Sequence, residues 1–383
     1  MSEALAGGDL QRLRQLNAVA VLRILRGDQP LTLTELAKRT GLSRASTEDV
    51  VRDLLGRGWV SEVEPAPGTV GRPARRYRFR ADAGRLLGVD VGGHKVLAAV
   101  TDLEGDVLHQ TRVPVAPDAG RRQRLAAIDD CITAALSGAG VTAEQIWSTG
   151  VATTGLVDGT GKVMLSDSLP EWTGVDLTAH LRRLVNSPIR VENDCKLAAL
   201  AENWRGVARY AKDVVFLLAG LRTGAGLIID GKLHRGFANS AGEIGALPAA
   251  GWERAPEHLH GWLTPGAEVE QVFLAARDGD RAAQRAVRGY VRDIAIGTSA
   301  LVLTLDPELV VIGGGFSRSA DVMVEPLRRE LDRWCLRTPE IRVSAFADEG
   351  VALGAVRLAL EQVESTLYGN SPATPALFAA HRR

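Results

Sequence analysis

Apolar side chains recur at helical spacing through QRLRQLNAVAVLRILRG, at Leu13, Leu16, Val19, Ala20, Leu22 and Ile24, and Gly27 with Pro30 closes the segment. In TLTELAKRTGLSRASTEDVVRDLLGRGWV, Thr34 is expected to cap ELAKRT and Gly41 to make a turn. Ser43 then caps a third helix whose buried stripe is Val50, Val51, Leu54 and Leu55. Short helix, glycine turn and second helix predict a helix-turn-helix. The pattern then shortens to a period of two. WVSEVE and RRYRFR read as strands joined by the turn-forming PAPGTVGRPA, and together they make a wing.

From Leu86 the run LLGVDVGGHKVLAAVTDLEGDVLHQTRVPV gives three β-type stretches separated by GGHK and LEGD, a meander turning at Gly92-Gly93. A similar hairpin recurs in FLLAGLRTGAGLIIDGKLHRG, with a further turn at Asp230-Gly231, as if the first were repeated. IRVENDCKLAALAENWRG predicts a strand ending at Glu192 and a helix starting near Asp194, and LVVIGG runs through Gly313, Gly314 and Gly315 into another helix.

Composition limits what such a chain can be. With 383 residues, 45% hydrophobic and 24% charged, it is expected to pack as two or three globular units. No apolar run reaches the roughly 18 residues of a membrane span, and the N-terminus has no basic-then-apolar leader, so a cytoplasmic protein is expected. Cys131, Cys195 and Cys335 are odd in number and widely spaced, which signals neither a disulfide framework nor a cysteine metal site. Net neutrality hides an asymmetry: residues 1–82 hold 14 basic against 10 acidic side chains, the remainder 32 against 36. Arg72, Arg75, Arg76, Arg78 and Arg80 crowd into the wing.

That charge sharpens the reading of the N-terminal unit as a binder of double-stranded operator DNA rather than a protein-interaction module. The third helix is expected in the major groove, presenting Ser43, Arg44, Ser46, Thr47 and Arg52 to bases and phosphates. Arg72 at the wing tip suits a minor groove, and Arg75 and Arg76 suit phosphates. A single winged helix contacts few bases, so a homodimer or homotetramer is expected.

In the larger part, Asp90 before Gly92 and Gly93 can hold the water shell of Mg²⁺ while the glycines let backbone approach a phosphate. Gly224 and Gly226, then Gly313, Gly314 and Gly315, read as further phosphate or nucleotide contacts. Asn193 and Asp194 at a strand end suit adjacent sugar hydroxyls. Asp194 could also take a hydroxyl proton as the general base of a small-molecule kinase, or simply cap its helix.

GVDVGGHK, VENDCKLAALAE, TGAGLIIDGKLHRG, SAGEIG and VVIGGGFS stand in the order and spacing of the ROK family of sugar kinases and repressors, which the chain resembles from about Leu86 to Leu360. The resemblance implies an α/β fold of two actin/hexokinase-type lobes with ligands in the cleft between them. With the winged helix in front, it implies the repressor branch. It also implies sugar contacts from Asp167, Asn193, Asp194 and Glu243. The map expected is a DNA-binding domain at 1–82, a first lobe at 83–202, a second at 203–346, a C-terminal helix at 347–363 returning to the first lobe, and a poorly ordered tail at 364–383.

Departures from the family pattern bear on chemistry. Ala246 replaces the family's zinc-binding His, and the segment after it has no cysteine; His258 and His260 alone are a poor tetrahedral set. No zinc is expected. His94, and Leu221, Arg222 and Thr223, alter the two phosphate loops, and Arg222 is expected to block or weaken ATP binding. The reading is a regulator responsive to a sugar or sugar derivative, a repressor with little or no catalysis and no required cofactor. The alternative is a bifunctional ATP-dependent sugar kinase carrying a DNA-binding domain, for which ATP and Mg²⁺ would be needed.

Overall fold

The computed structural model describes residues 10–26, 29–63, 74–264 and 266–368. The chain begins with α1 (Leu10–Leu25), β1 (Leu31–Thr32), α2 (Leu33–Thr40), α3 (Arg44–Gly56), β2 (Val60–Val63) and β3 (Arg76–Phe79). The three strands form an antiparallel sheet in the order β1-β3-β2, the wing beneath a three-helix unit. Val21, Leu22, Leu25, Leu36, Val50, Val51 and Leu54 fill its core, whereas Leu13 and Leu16 of the same periodic set remain exposed. The cap of α2 differs from expectation. Thr32, not Thr34, holds the extended N-cap position, accepting from the Glu35 N–H while the Glu35 carboxylate accepts from the Thr32 N–H. Thr34 lies already inside the helix.

The second unit opens with the meander β4 (Arg85–Val91), β5 (Lys95–Thr101) and β6 (Val107–Pro114), followed by α4 (Arg121–Ala139). Then come β7 (Ile146–Thr153), the small pair β8 (Leu156–Val157) and β9 (Val163–Leu165), α5 (Leu177–Leu181), β10 (Ile189–Asn193) and α6 (Asp194–Arg205). Its sheet has the order β10-β7-β4-β5-β6, with β7 and β10 parallel to β4.

The third unit repeats this plan. It contains β11 (Val214–Leu218), β12 (Gly224–Ile229), β13 (Lys232–Leu233), α7 (Ala255–His260), α8 (Glu270–Arg277), α9 (Arg281–Leu305), β14 (Leu309–Gly313), α10 (Ala320–Trp334) and β15 (Glu340–Val343). Its sheet order is β13-β12-β11-β14-β15, again an antiparallel meander extended by two parallel strands. Asp230 and Gly231 turn the second hairpin with φ of 51° and 71°, the paired left-handed geometry that favours Asp-Gly.

The last helix, α11 (Gly350–Tyr368), returns to the first lobe. It can lie against the sheet and α6 because glycines remove side chains at the contact: a Cβ on Gly150 would stand 1.9 Å from the Ala355 carbonyl, and one on Gly354 1.8 Å from that of Leu197. The lobe boundary expected at 202 falls inside α6. The tail expected from 364 begins as helix, because Glu364 pairs with Arg357 and with Arg26 just after α1; residues 369–383 lie outside the described ones.

One hydrophobic core runs through the DNA-binding unit and the first lobe. Trp59, Val60 and Phe79 share it with Leu86, Leu97, Trp147, Val356 and Leu360. The two units are therefore packed together rather than joined only by a tether.

Candidate functional site

Two regions carry the predicted chemistry. On the DNA-binding unit, Ser43 caps α3 by accepting from the Ser46 N–H, and the two hydroxyls lie 2.8 Å apart. Arg44 is exposed at the head of that helix, donating to Thr34 at 3.3 Å. Thr47 corrects the expectation of a base contact: it is fully buried and donates to the Ser43 carbonyl, so it faces the core. Arg52 points to solvent but is held by Glu48 and Asp49, each at 3.2 Å. On the wing, Arg75 is exposed and pairs with Glu62. Arg76 binds the Pro30 carbonyl and faces Glu35, which ties β3 to the start of α2. Arg72 lies outside the described residues.

The second region is the end of β10 and the start of α6. Asn193 is the helix cap, its Oδ1 accepting from the Lys196 N–H at 3.1 Å and its Nδ2 donating to the Gly155 carbonyl at 3.1 Å. Asp194 is thereby released from capping. It is half-buried, and its Oδ1 takes the Cys195 N–H at 2.8 Å. Burial pushes its pKa up to about 6, with the Cys195 hydrogen bonds opposing and the Glu243 charge adding. Asp90, buried at the end of β4, rises to about 7 for the same leading reason, with Lys95 opposing and Asp194 adding. Glu243 reaches solvent at the rim, yet the protein packed around it desolvates it and raises its pKa, opposed by Lys196. The Asp194 charge thus reaches Asp90, and that of Glu243 reaches Asp194. Asp167 stands exposed on the loop after β9, beside the buried Ser166.

Beneath this group lies a polar network that sequence reasoning missed. Buried Glu192 accepts from Arg235 Nε at 2.7 Å and from Asn239 Nδ2 at 3.0 Å, while fully buried Lys196 donates to the Asn239 carbonyl. The available signal was Lys196 itself, a charge set among Cys195, Leu197 and Ala198 on a buried helix. A lysine there needs partners from elsewhere in the fold.

The glycine clusters divide. Gly92 turns the first hairpin by donating to the Lys95 carbonyl, and the faces of Gly93 and Gly315 are open. Gly224 and Gly226 are corrected: they belong to β12, and a Cβ on either would strike Cys195, at 2.4 Å from its Sγ and 2.4 Å from its carbonyl respectively. They admit α6 against the strand. Gly313 and Gly314 are likewise spacers, against the Phe216 ring and the Ala219 carbonyl. The turn before β12 is instead made by Leu221 and Arg222, both exposed.

Where the ROK pattern has zinc ligands, the segment after Ala246 is fastened by an ionic knot. Buried Asp293 of α9 accepts from Arg254 at 2.9 Å and meets His258 Nε2 at 3.1 Å, and the Trp252 indole donates to the Ile294 carbonyl. Among the described residues no three His, Cys, Asp or Glu side chains are grouped to hold a metal. No helix there is long and apolar enough to cross a membrane.

The family model described as ROK matches residues 86–262 and 253–362, and the IclR helix-turn-helix domain model matches 16–64. A xylose repressor of Caldicellulosiruptor bescii is 25% identical over 94% of this chain and 98% of its own length. A glucokinase of Streptomyces coelicolor is 28% identical but aligns with 73% of this chain. Among solved structures, a ROK family transcriptional regulator described as a homolog of the E. coli MLC protein superposes with a TM-score of 0.73 at 20% identity, covering 93% of this chain and 97% of that one. A ROK glucokinase of Streptomyces griseus, solved with glucose and AMPPNP, gives 0.60 at 26% identity over 73% of this chain and all of its own.

Proposed function

The chain belongs to the ROK family, and from that premise we propose that it is a sugar-responsive DNA-binding repressor. The observation that carries this reading is the near end-to-end alignment with a xylose repressor, over 94% of this chain, where a glucokinase aligns with 73% of it. In this reading Arg44, with Ser43 and Ser46, reads base edges, Arg75 meets phosphates, and two chains present two recognition helices to one operator. Asp194, Asn193 and Glu243 take the hydroxyls of a sugar or sugar derivative, with Asp167 at the rim. Desolvated carboxyls of raised pKa are suited to hydroxyls that can both donate and accept. The shared core passes the change in lobe closure to the DNA-binding unit, and a sugar shifts that equilibrium only by its differential affinity for the two closures.

A second reading, a kinase carrying a DNA-binding domain, draws support from one observation: Asp194 with its pKa near 6 is poised as a general base. Asp90 would hold Mg²⁺, which would neutralise the transferring phosphoryl group. Against it stands the Leu221-Arg222 turn, which puts two bulky side chains where backbone must approach a phosphate. Anisotropy of the protein on its own upstream DNA, titrated with xylose, glucose and their neutral relatives, tests the regulator. Sequence-selective binding that a single sugar shifts is expected; binding no better than to random duplex, with or without sugars, sinks it.

A further inference from the structure

A cavity of about 620 Å³ opens between α6, the β12-β13 hairpin and α11, and none of Asp90, Asn193, Asp194 and Glu243 lines it. Its walls carry Arg209, Lys232, Arg235 and Arg357 against a single carboxylate, Glu361, with the Trp204 indole as the largest apolar surface. Arg357 is shared between Glu361 and Glu364, at 3.6 and 3.3 Å, and sits over the Trp204 ring. Arg235 is bound through Nε to Glu192, and one of its terminal nitrogens is enclosed with no hydrogen-bond partner. Arg209 lies over the Tyr210 ring, and no ion pair is formed by it or by Lys232 among the described residues.

We propose that this cavity is a second ligand site, distinct from the sugar cleft, for a small phosphate ester. The Arg209 guanidinium and the Lys232 ammonium, neither in an ion pair among the described residues, form with the enclosed nitrogen of Arg235 a positive concavity whose low-dielectric walls focus the field. A phosphate monoester brings nearly two negative charges and three acceptor oxygens, which match forked arginine donors better than one carboxylate does. The carbon portion has the Trp204 face and the side chains of Leu200 and Leu233 to rest on. The volume suits a metabolite rather than a macromolecule. The site also stands between the other two: Arg235 is paired with Glu192 of the buried network, and Arg357 shares Glu364 with Arg26 just after α1. An anion that draws Arg357 inward competes directly with that link to the DNA-binding unit.

Calorimetric titration of the full chain with glucose 6-phosphate, inorganic phosphate and glucose tests this. Glucose 6-phosphate is expected to bind once per chain and not to be displaced by glucose. The double variant Arg209→Ala with Lys232→Ala should weaken it by at least about tenfold, whereas Asp194→Ala should leave it unchanged. Both substituted side chains are exposed, and Lys232→Glu, which reverses the charge without opening the core, should weaken binding further. No heat at millimolar glucose 6-phosphate, binding of inorganic phosphate alone, or loss of binding in Asp194→Ala only would each overturn the site. So would a fall in the ligand-free double variant's affinity for DNA, which would assign these cations to the duplex backbone instead.

Discussion

Trp59 of the DNA-binding unit meets Trp147 of the first lobe edge to face, ring centroids 4.9 Å apart and planes at 69°. Both indoles are buried in a core to which α11 also contributes. The contact makes the wing-side unit and the sugar lobe one cooperative body. Trp147→Ala should remove about 3–5 kcal/mol and separate the melting of the two units, turning a single calorimetric transition into two. An unchanged single transition would show that the joint is carried by other contacts.

Arg44 and Arg75 should fail in different ways. Arg44→Ala is expected to cost about 1–3 kcal/mol on the operator and little on random duplex, whereas Arg75→Ala weakens both and lowers the salt slope by about one. Arg76 is excluded from that pair because its bond to Pro30 makes its loss a stability effect. Salt-dependent anisotropy on the two duplexes separates the cases.

Asp194→Asn should reduce sugar affinity by about 1–3 kcal/mol, the cost of mismatching a buried hydroxyl, while free-protein affinity for DNA stays as it was. Measuring the sugar concentration that half-shifts DNA binding, variant against parent, checks this. A DNA affinity that falls with the substitution would mean that Asp194 acts through the fold.

Asp90 and Asp194 titrate at about 7 and about 6 in the folded chain, above the ordinary value of 3.8. The folded state therefore holds more protons than the unfolded one between about pH 4 and 7, so their contribution to stability is present at low pH and is lost as pH rises through 6 and 7. For buried Asp90 the loss is on the order of 2–4 kcal/mol. Asp90→Asn should flatten the fall in melting temperature between pH 5 and pH 8 and stabilise the protein at the upper end. A slope unaltered by the substitution would place the effect elsewhere.

Chelator treatment should leave the melting temperature unchanged, since Asp293 with Arg254 and His258 fastens the segment that the family otherwise ties with zinc. Asp293→Ala should cost about 1.5–3 kcal/mol, the loss of the hydrogen bonds that half-exposed Arg254 and His258 make to a buried carboxylate. Elemental analysis finding one zinc per chain would contradict this.

The helix-turn-helix, the wing strands and the repeated meander were legible because each follows from local rules: a period of 3.6 or 2, a cap, a glycine turn. The repeated hairpin hinted at a duplicated lobe and the resemblance to the ROK family implied the two-lobed fold, while Asp90, Asn193 and Asp194 stood out because they lie at or just after strand ends. What local pattern cannot carry is which side of an element meets another. Thr47 is polar and sits on the recognition helix, yet packing turned it inward, and Thr32 won the cap from Thr34 because α2 begins two residues earlier than the apolar pattern suggests. Gly224 and Gly226 read as a phosphate loop, yet their missing side chains are required by α6 lying across the strand. The network of Glu192, Lys196, Arg235 and Asn239 joins residues 47 positions apart, and the shared core of Trp59 and Trp147 spans nearly twice that. Sequence determined the elements and the family chemistry; the burial that tunes Asp90 and Asp194, and the joint between DNA-binding unit and sugar lobe, exist only once distant segments exclude water together.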